Sequence, residues 1–196
     1  MPNLLADFFL TFSDLSVILA IVLLGFVFVS RSIFIKLACL AAFDIVVNVA
    51  LKGTFKVPLS PTLHKIGYAF PSGHMQLSTV FYVWLLMQRP LKSLHLLIAI
   101  LLMGIAAGLI HYDYHNGYDV LGGFVGGLLL ISLYRFTLLK FPEQWPWIIG
   151  GTASLLMLYN DWIYQPIPSY AWVSYLTLWG FIGVYWLNRF YTPDTP

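Results

Sequence analysis

The sequence predicts an all-α protein, a polytopic transmembrane helical bundle of six or seven spans. Three observations carry this prediction. Hydrophobic residues make up 60% of the 196 residues and charged residues only 9%, against roughly 45–50% and about 25% in soluble domains. Mean hydropathy is +0.82. The apolar residues also gather into stretches that approach the roughly 17–25 residues needed to cross a bilayer. So few charges could not cover a soluble surface, which excludes soluble enzymes, nucleic-acid binders and disordered chains.

Seven such stretches follow one another, at residues 8–29, 33–51, 72–88, 94–110, 118–139, 147–162 and 170–187. In each, apolar residues surround nearly the whole circumference, so they read as spans and not as half-buried soluble helices. Residues 3–12 fit a second description, an interfacial helix leading into span one. The chain reads as a single membrane domain over 1–196. Its only cysteine, Cys39, excludes an intrachain disulfide.

Lysine and arginine orient the bundle. Arg31, Lys36, Arg89, Lys92, Arg135, Lys140 and Arg189 fall on one side if the spans alternate, and Lys52, Lys56 and Lys65 on the other. The positive-inside rule then places the N-terminus outside and the C-terminus in the cytoplasm. Trp and Tyr thicken toward the C-terminus, among them Trp145, Tyr164, Tyr170 and Trp172. An aromatic belt at the headgroup level accounts for them, and a lipid-binding groove is the sharper reading.

The unusual polar residues collect at the outer ends of spans two to five. Lys52 closes span two, Pro71-Ser72-Gly73-His74 opens span three, and His111, Asp113, His115 and Asp119 join span four to span five. His115 and Asp119 stand four apart and share a face if span five begins there. Asp119 can then accept a hydrogen bond from one imidazole nitrogen and leave the other nucleophilic. Ser72 and Gly73 at a helix N-terminus offer free N–H groups to an anion. His74 can move a proton near neutral pH, and Lys52 supplies a point charge for phosphate. A zinc site built from His74, His111, His115 and Asp119 is an alternative, but it leaves the lysines and the Ser-Gly helix start unused.

Lys52 to Pro58, PSGH at 71–74 and His115-x-x-x-Asp119 followed by Gly122 together resemble the type 2 phosphatidic acid phosphatase superfamily, over about residues 33–139. Residues 140–196 add two C-terminal spans outside the resemblance. The resemblance implies that His115 is a nucleophile forming phosphohistidine, oriented by Asp119. His74 would protonate the leaving oxygen and then activate water. Lys52, Ser72 and Gly73 would hold the phosphate, with no metal and no cofactor. Two family arginines are missing, because Leu59 and Leu109 stand at their positions. Leucine cannot replace a bidentate guanidinium, so Lys56 and His111 become the expected compensating phosphate ligands.

Asp44 is a separate feature. It precedes Lys52 by eight residues, about 12 Å deeper along a helix, with Asn48 between them on the same face. An ionisable group at that depth is a functional hypothesis by default, and a hydrogen-bonded packing role is the plainer one.

The expected activity is a membrane lipid or polyprenyl phosphate or diphosphate phosphatase, working in a bacterial cytoplasmic membrane with its site facing outward. The same intermediate would also serve a phosphotransferase with a sugar or lipid acceptor. A non-catalytic lipid-phosphate binding or transport protein is the third reading. The expected partners are the lipid substrate and the bilayer, and no nucleic acid.

Overall fold

A computed structural model describes residues 3–64, 66–88 and 92–191. Lys65 and Arg89, used above to orient the bundle, lie outside the described residues. Among these residues eight α-helices follow in order: α1 Leu4–Thr11, α2 Leu15–Phe28, α3 Arg31–Phe55, α4 Gly73–Gln88, α5 Lys92–His111, α6 Gly117–Lys140, α7 Trp145–Ile163 and α8 Ser169–Tyr191. Among the described residues there is no strand, only an isolated bridge between Pro58 and Tyr68.

Every expected span is helical, but the first is broken. α1 and α2 meet at an angle of 46°. Ser13 turns back at the break, its N–H and Oγ both donating to Leu10 O, and Asp14 starts the next helix in extended backbone. α1 lies along α5, where Gly104 and Gly108 leave room for Phe9 and Leu10. Tyr82 Oη pins the break by donating to Phe12 O at 2.7 Å.

Among the described residues three helices (α3, α5 and α6) are long and apolar enough to cross a membrane, or up to four candidate spans if the bent pair counts as one. α4 has 16 residues, about 24 Å at 1.5 Å per residue, short of the ~30 Å hydrocarbon core. α7 and α8 carry the Tyr, Trp and Asn residues that reduce hydropathy.

α3 is the central helix. Ser30 caps it, accepting from Ile33 N–H, and it packs against α2, α4, α7 and α8. Leu37, Cys39, Leu40, Val46 and Val49 on it have no exposed surface. Its C-terminus stops at Lys56, which adopts left-handed backbone (φ 51°) and closes on Lys52 O. α4 and α6 approach closely because α6 presents glycine to it. A Cβ at Gly123 would lie 2.5 Å from Ser72 O, and one at Gly127 would lie 3.0 Å from Gln76 O. This small-residue contact holds the start of α4 against the start of α6.

Candidate active site

The loop from α3 to α4 folds back over the end of α3. Leu59 N–H donates to Gly67 O and Ala69 N–H to Val57 O. Lys52, only 8% exposed, aims its ammonium beneath this loop and donates to Tyr68 O and Ala69 O. Asp113 anchors the far side, accepting from Ser60 and Thr62 hydroxyls at 3.0 and 2.7 Å. Those two bonds hold the exposed Asp113 carboxyl below its ordinary range.

Beneath the loop lies a cavity of about 540 Å³, within the size range of small-molecule sites. Lys52, Gly73, His74 and His115 line it, together with Asp44 and Asn48. Three separate helix ends thus bring four of the expected site residues onto one concave surface. Gly73 and His74 occupy the first two positions of α4, whose N–H groups have no partner from a preceding turn. A Cβ at Gly73 would lie 3.0 Å from Asn48 Oδ1, so a larger residue would press α4 away from α3.

Ser72 is fully buried and borders the cavity only through its neighbours. Its hydroxyl accepts from Met75 N–H at 3.4 Å, and its own N–H donates to Asp119 O at 2.9 Å. Ser72 therefore joins α4 to α6 through its backbone N–H, while its hydroxyl caps the start of α4.

His115 is 9% exposed, and its Nδ1 has no hydrogen-bond partner. The nearest Asp119 oxygen is 3.7 Å from Nδ1, beyond hydrogen-bond range. The same Oδ2 accepts from Asn116 N–H at 3.0 Å, while Asn116 accepts from Asp119 N–H. This capping box starts α6. The expected bond from His115 to Asp119 is thus not made in this structure, because the carboxylate is committed to the helix start. Burial pushes the His115 pKa down to about 4, with the Lys52 charge and then His74 adding to the effect. The imidazole is therefore neutral at pH 7, the form a nucleophile needs.

Two expected phosphate ligands stand elsewhere. Lys56 is an exposed helix-end residue and does not line the cavity. His111 is exposed at the end of α5, its ring against Tyr112 at 5.1 Å between centroids. His111 does not line the cavity that His74 and His115 share. Among the described residues no three His, Cys, Asp or Glu side chains are grouped to hold a metal ion. Leu59 lines the cavity, whereas Leu109 is 1% exposed and serves the fold, its carbonyl accepting from Tyr114 and His115 N–H groups.

Other cavity residues were not singled out for this site by sequence: Ser13 and Leu15 at the α1–α2 break, and Tyr68, Tyr164 and Tyr170. Gln76, which hydrogen-bonds Asp44 and Asn48 below the site, was missed as well. A lone glutamine inside an apolar run was the available signal for it. Tyr164 and Tyr170 were visible only as part of the aromatic enrichment.

No curated protein and no solved structure matches the chain. The sequence profile of the PAP2 superfamily matches residues 34–142, more than half of the chain. The segment it matches runs from α3 through α6 and contains Lys52, PSGH, His115 and Asp119, so the chain belongs to the PAP2 superfamily.

Proposed function

We propose that the protein is a lipid-phosphate phosphatase that works through a phosphohistidine on His115. Membership of the family suggests phosphatase-type activity on phosphate esters. The observation that carries the finer reading is the cavity in which Lys52, the α4 N-terminus, His74 and His115 face one another. The apolar helices around it are compatible with a membrane location, which fits a substrate with a hydrocarbon chain.

Lys52 and the Gly73 and His74 N–H groups receive the phosphate oxygens. Neutral His115 attacks phosphorus through Nε2, since Nδ1 faces Asp119. The P–O bond to the alcohol breaks as the P–N bond forms, and His74 gives its proton to the leaving oxygen. The phosphoimidazolium is cationic, so Asp119 moves less than about 1 Å to accept from Nδ1–H; such bonds often tighten only in the reacting complex. Water then attacks phosphorus, His74 takes its proton, and phosphate leaves with His115 neutral again. Lys56 and His111 have no part in this scheme.

Phosphate release from a panel of lipid phosphates, with purified protein in bilayers, tests the reading. His115→Ala should reduce release to background and abolish an acid-labile phosphoenzyme. A phosphoenzyme that still forms in His115→Ala would show the nucleophile to be another residue. Product carrying the phosphoryl group when an alcohol acceptor is supplied would move the assignment to a phosphotransferase.

A further inference from the structure

Beneath the phosphate site, α3 and α4 share a buried polar chain that the scheme above does not use. Asp44 is 1% exposed, Asn48 5% and Gln76 0%. Gln76 Nε2 donates to Asp44 Oδ1 at 2.8 Å, and Asn48 Nδ2 donates to Gln76 Oε1 at 2.9 Å and to Pro71 O at 3.4 Å. Asp44 Oδ2 is buried without a hydrogen-bond partner. Asp44 and Asn48 both border the cavity.

We propose that Asp44 and Asn48 form a hydrogen-bond-accepting subsite one helical turn below the phosphate, selecting lipid phosphates whose chain carries a hydroxyl or amine donor close to the ester. This rests on the phosphatase reading for the position of the phosphate. Depth supports it. Asn48 is level with the start of α4, because it bonds Pro71 O and its Oδ1 lies against Gly73. Asp44 is four residues deeper on α3, about 6 Å at 1.5 Å per residue, a reach of a few bonds from the ester oxygen.

Polarity supports it as well. Asp44 Oδ1 accepts from Gln76 Nε2, which fixes the orientation of Gln76, and Gln76 Oε1 in turn makes Asn48 donate through Nδ2. Both Asn48 Nδ2 hydrogens are thereby spent on protein, and Asn48 Oδ1 and the ionised Asp44 Oδ2 are the acceptors left to face a ligand.

A purely structural role explains less. Interhelical hydrogen bonds between α3 and α4 need only Asn48 and Gln76. A carboxylate in a spanning helix is costly, and an orphaned buried oxygen calls for a cause of its own. A donor on the ligand supplies one.

Three lipid phosphates of equal chain length separate the possibilities: an alkyl phosphate with no donor, a 1-alkylglycerol 3-phosphate with a hydroxyl, and a long-chain 2-amino-alcohol 1-phosphate with an amine. Wild type should release phosphate from a donor-bearing lipid with kcat/KM about tenfold or more above the alkyl phosphate, the scale of one hydrogen bond to a charged group. The lipid that gains identifies the donor. Asp44→Leu should erase that preference, lowering kcat/KM for the donor-bearing lipid about tenfold more than for the alkyl phosphate. Asp44→Asn, which keeps the shape and the Gln76 contact, should retain part of it and carries the comparison if Asp44→Leu does not fold. Equal losses on all three lipids, or no preference in wild type, would overturn the subsite. Displacement of a bound fluorescent alkyl phosphate by the same three lipids reads preference without turnover. Donor preference in binding with no phosphate release refutes the phosphatase reading and keeps the subsite; release without preference does the reverse.

Discussion

The burial of His115 between Lys52 and His74 sets the form in which its imidazole exists. Its folded pKa of about 4 lies below the ordinary ~6.5 of histidine. Between those values the unfolded chain binds a proton that the folded chain refuses, so stability rises with pH there. The stabilisation is complete above pH ~6.5 and is lost as pH falls toward about 4, at up to ~1.4 kcal/mol per pH unit from this one group. Thermal unfolding in detergent from pH 7.5 to 4 should show this acid sensitivity, and His115→Asn should flatten the 6.5-to-4 portion. An unchanged profile in His115→Asn would mean that the imidazole is not held neutral by burial. A residue-scale reading of the sequence found His115 and Asp119 from their spacing. It did not find that Asp119 is engaged by Asn116, because a capping box requires knowing where α6 begins.

The glycines of α6 show what an element contributes. α6 meets α4 through Gly123 and Gly127, and the hydrogen bond from Ser72 N–H to Asp119 O runs across the same contact. Gly123→Ala would put a methyl group 2.5 Å from a backbone oxygen, and backbone cannot rotate aside as a side chain can. Overpacking of this kind costs about 1–3 kcal/mol, and here it would also push Gly73 and His74 away from His115. Gly123→Ala should therefore lower both the unfolding temperature and phosphate release. Gly151 in α7 has nothing within 4 Å of a Cβ, and its change to Ala should be neutral or stabilising by up to ~1 kcal/mol. If the two variants behave alike, close packing at Gly123 is not what positions α4. Gly122 was legible in the sequence as part of the family motif. The role of Gly123 was not, because a glycine's neighbours across an interface leave no mark on its own sequence.

Across the whole molecule, the part that matches the family does not close the cavity alone. Tyr164 and Pro168 line it from the α7–α8 connection and Tyr170 from the start of α8, with Ser13 and Leu15 at the α1–α2 break. α3 packs against both α7 and α8; Asn160 Nδ2 reaches Val46 O, and Ile163 fills the space over Gly53. A chain ended after residue 142 would strip one face of α3 bare, including the buried Val46 and Val49. It should lose protease resistance and phosphate release together, whereas a truncation that stays active would make α7 and α8 accessory. By itself the sequence determined the all-helical class, the approximate positions of helices whose apolar character is compatible with a membrane, and the His74, His115 and Asp119 pattern, because composition, periodicity and motif spacing are local properties. Only the tertiary structure decided that the first span is broken, that Lys56 and His111 stand away from the cavity, and that Ser72 links α4 to α6. The physical reason is that side-chain direction at a helix end depends on the capping and packing of that end, and those partners lie on helices distant in the chain.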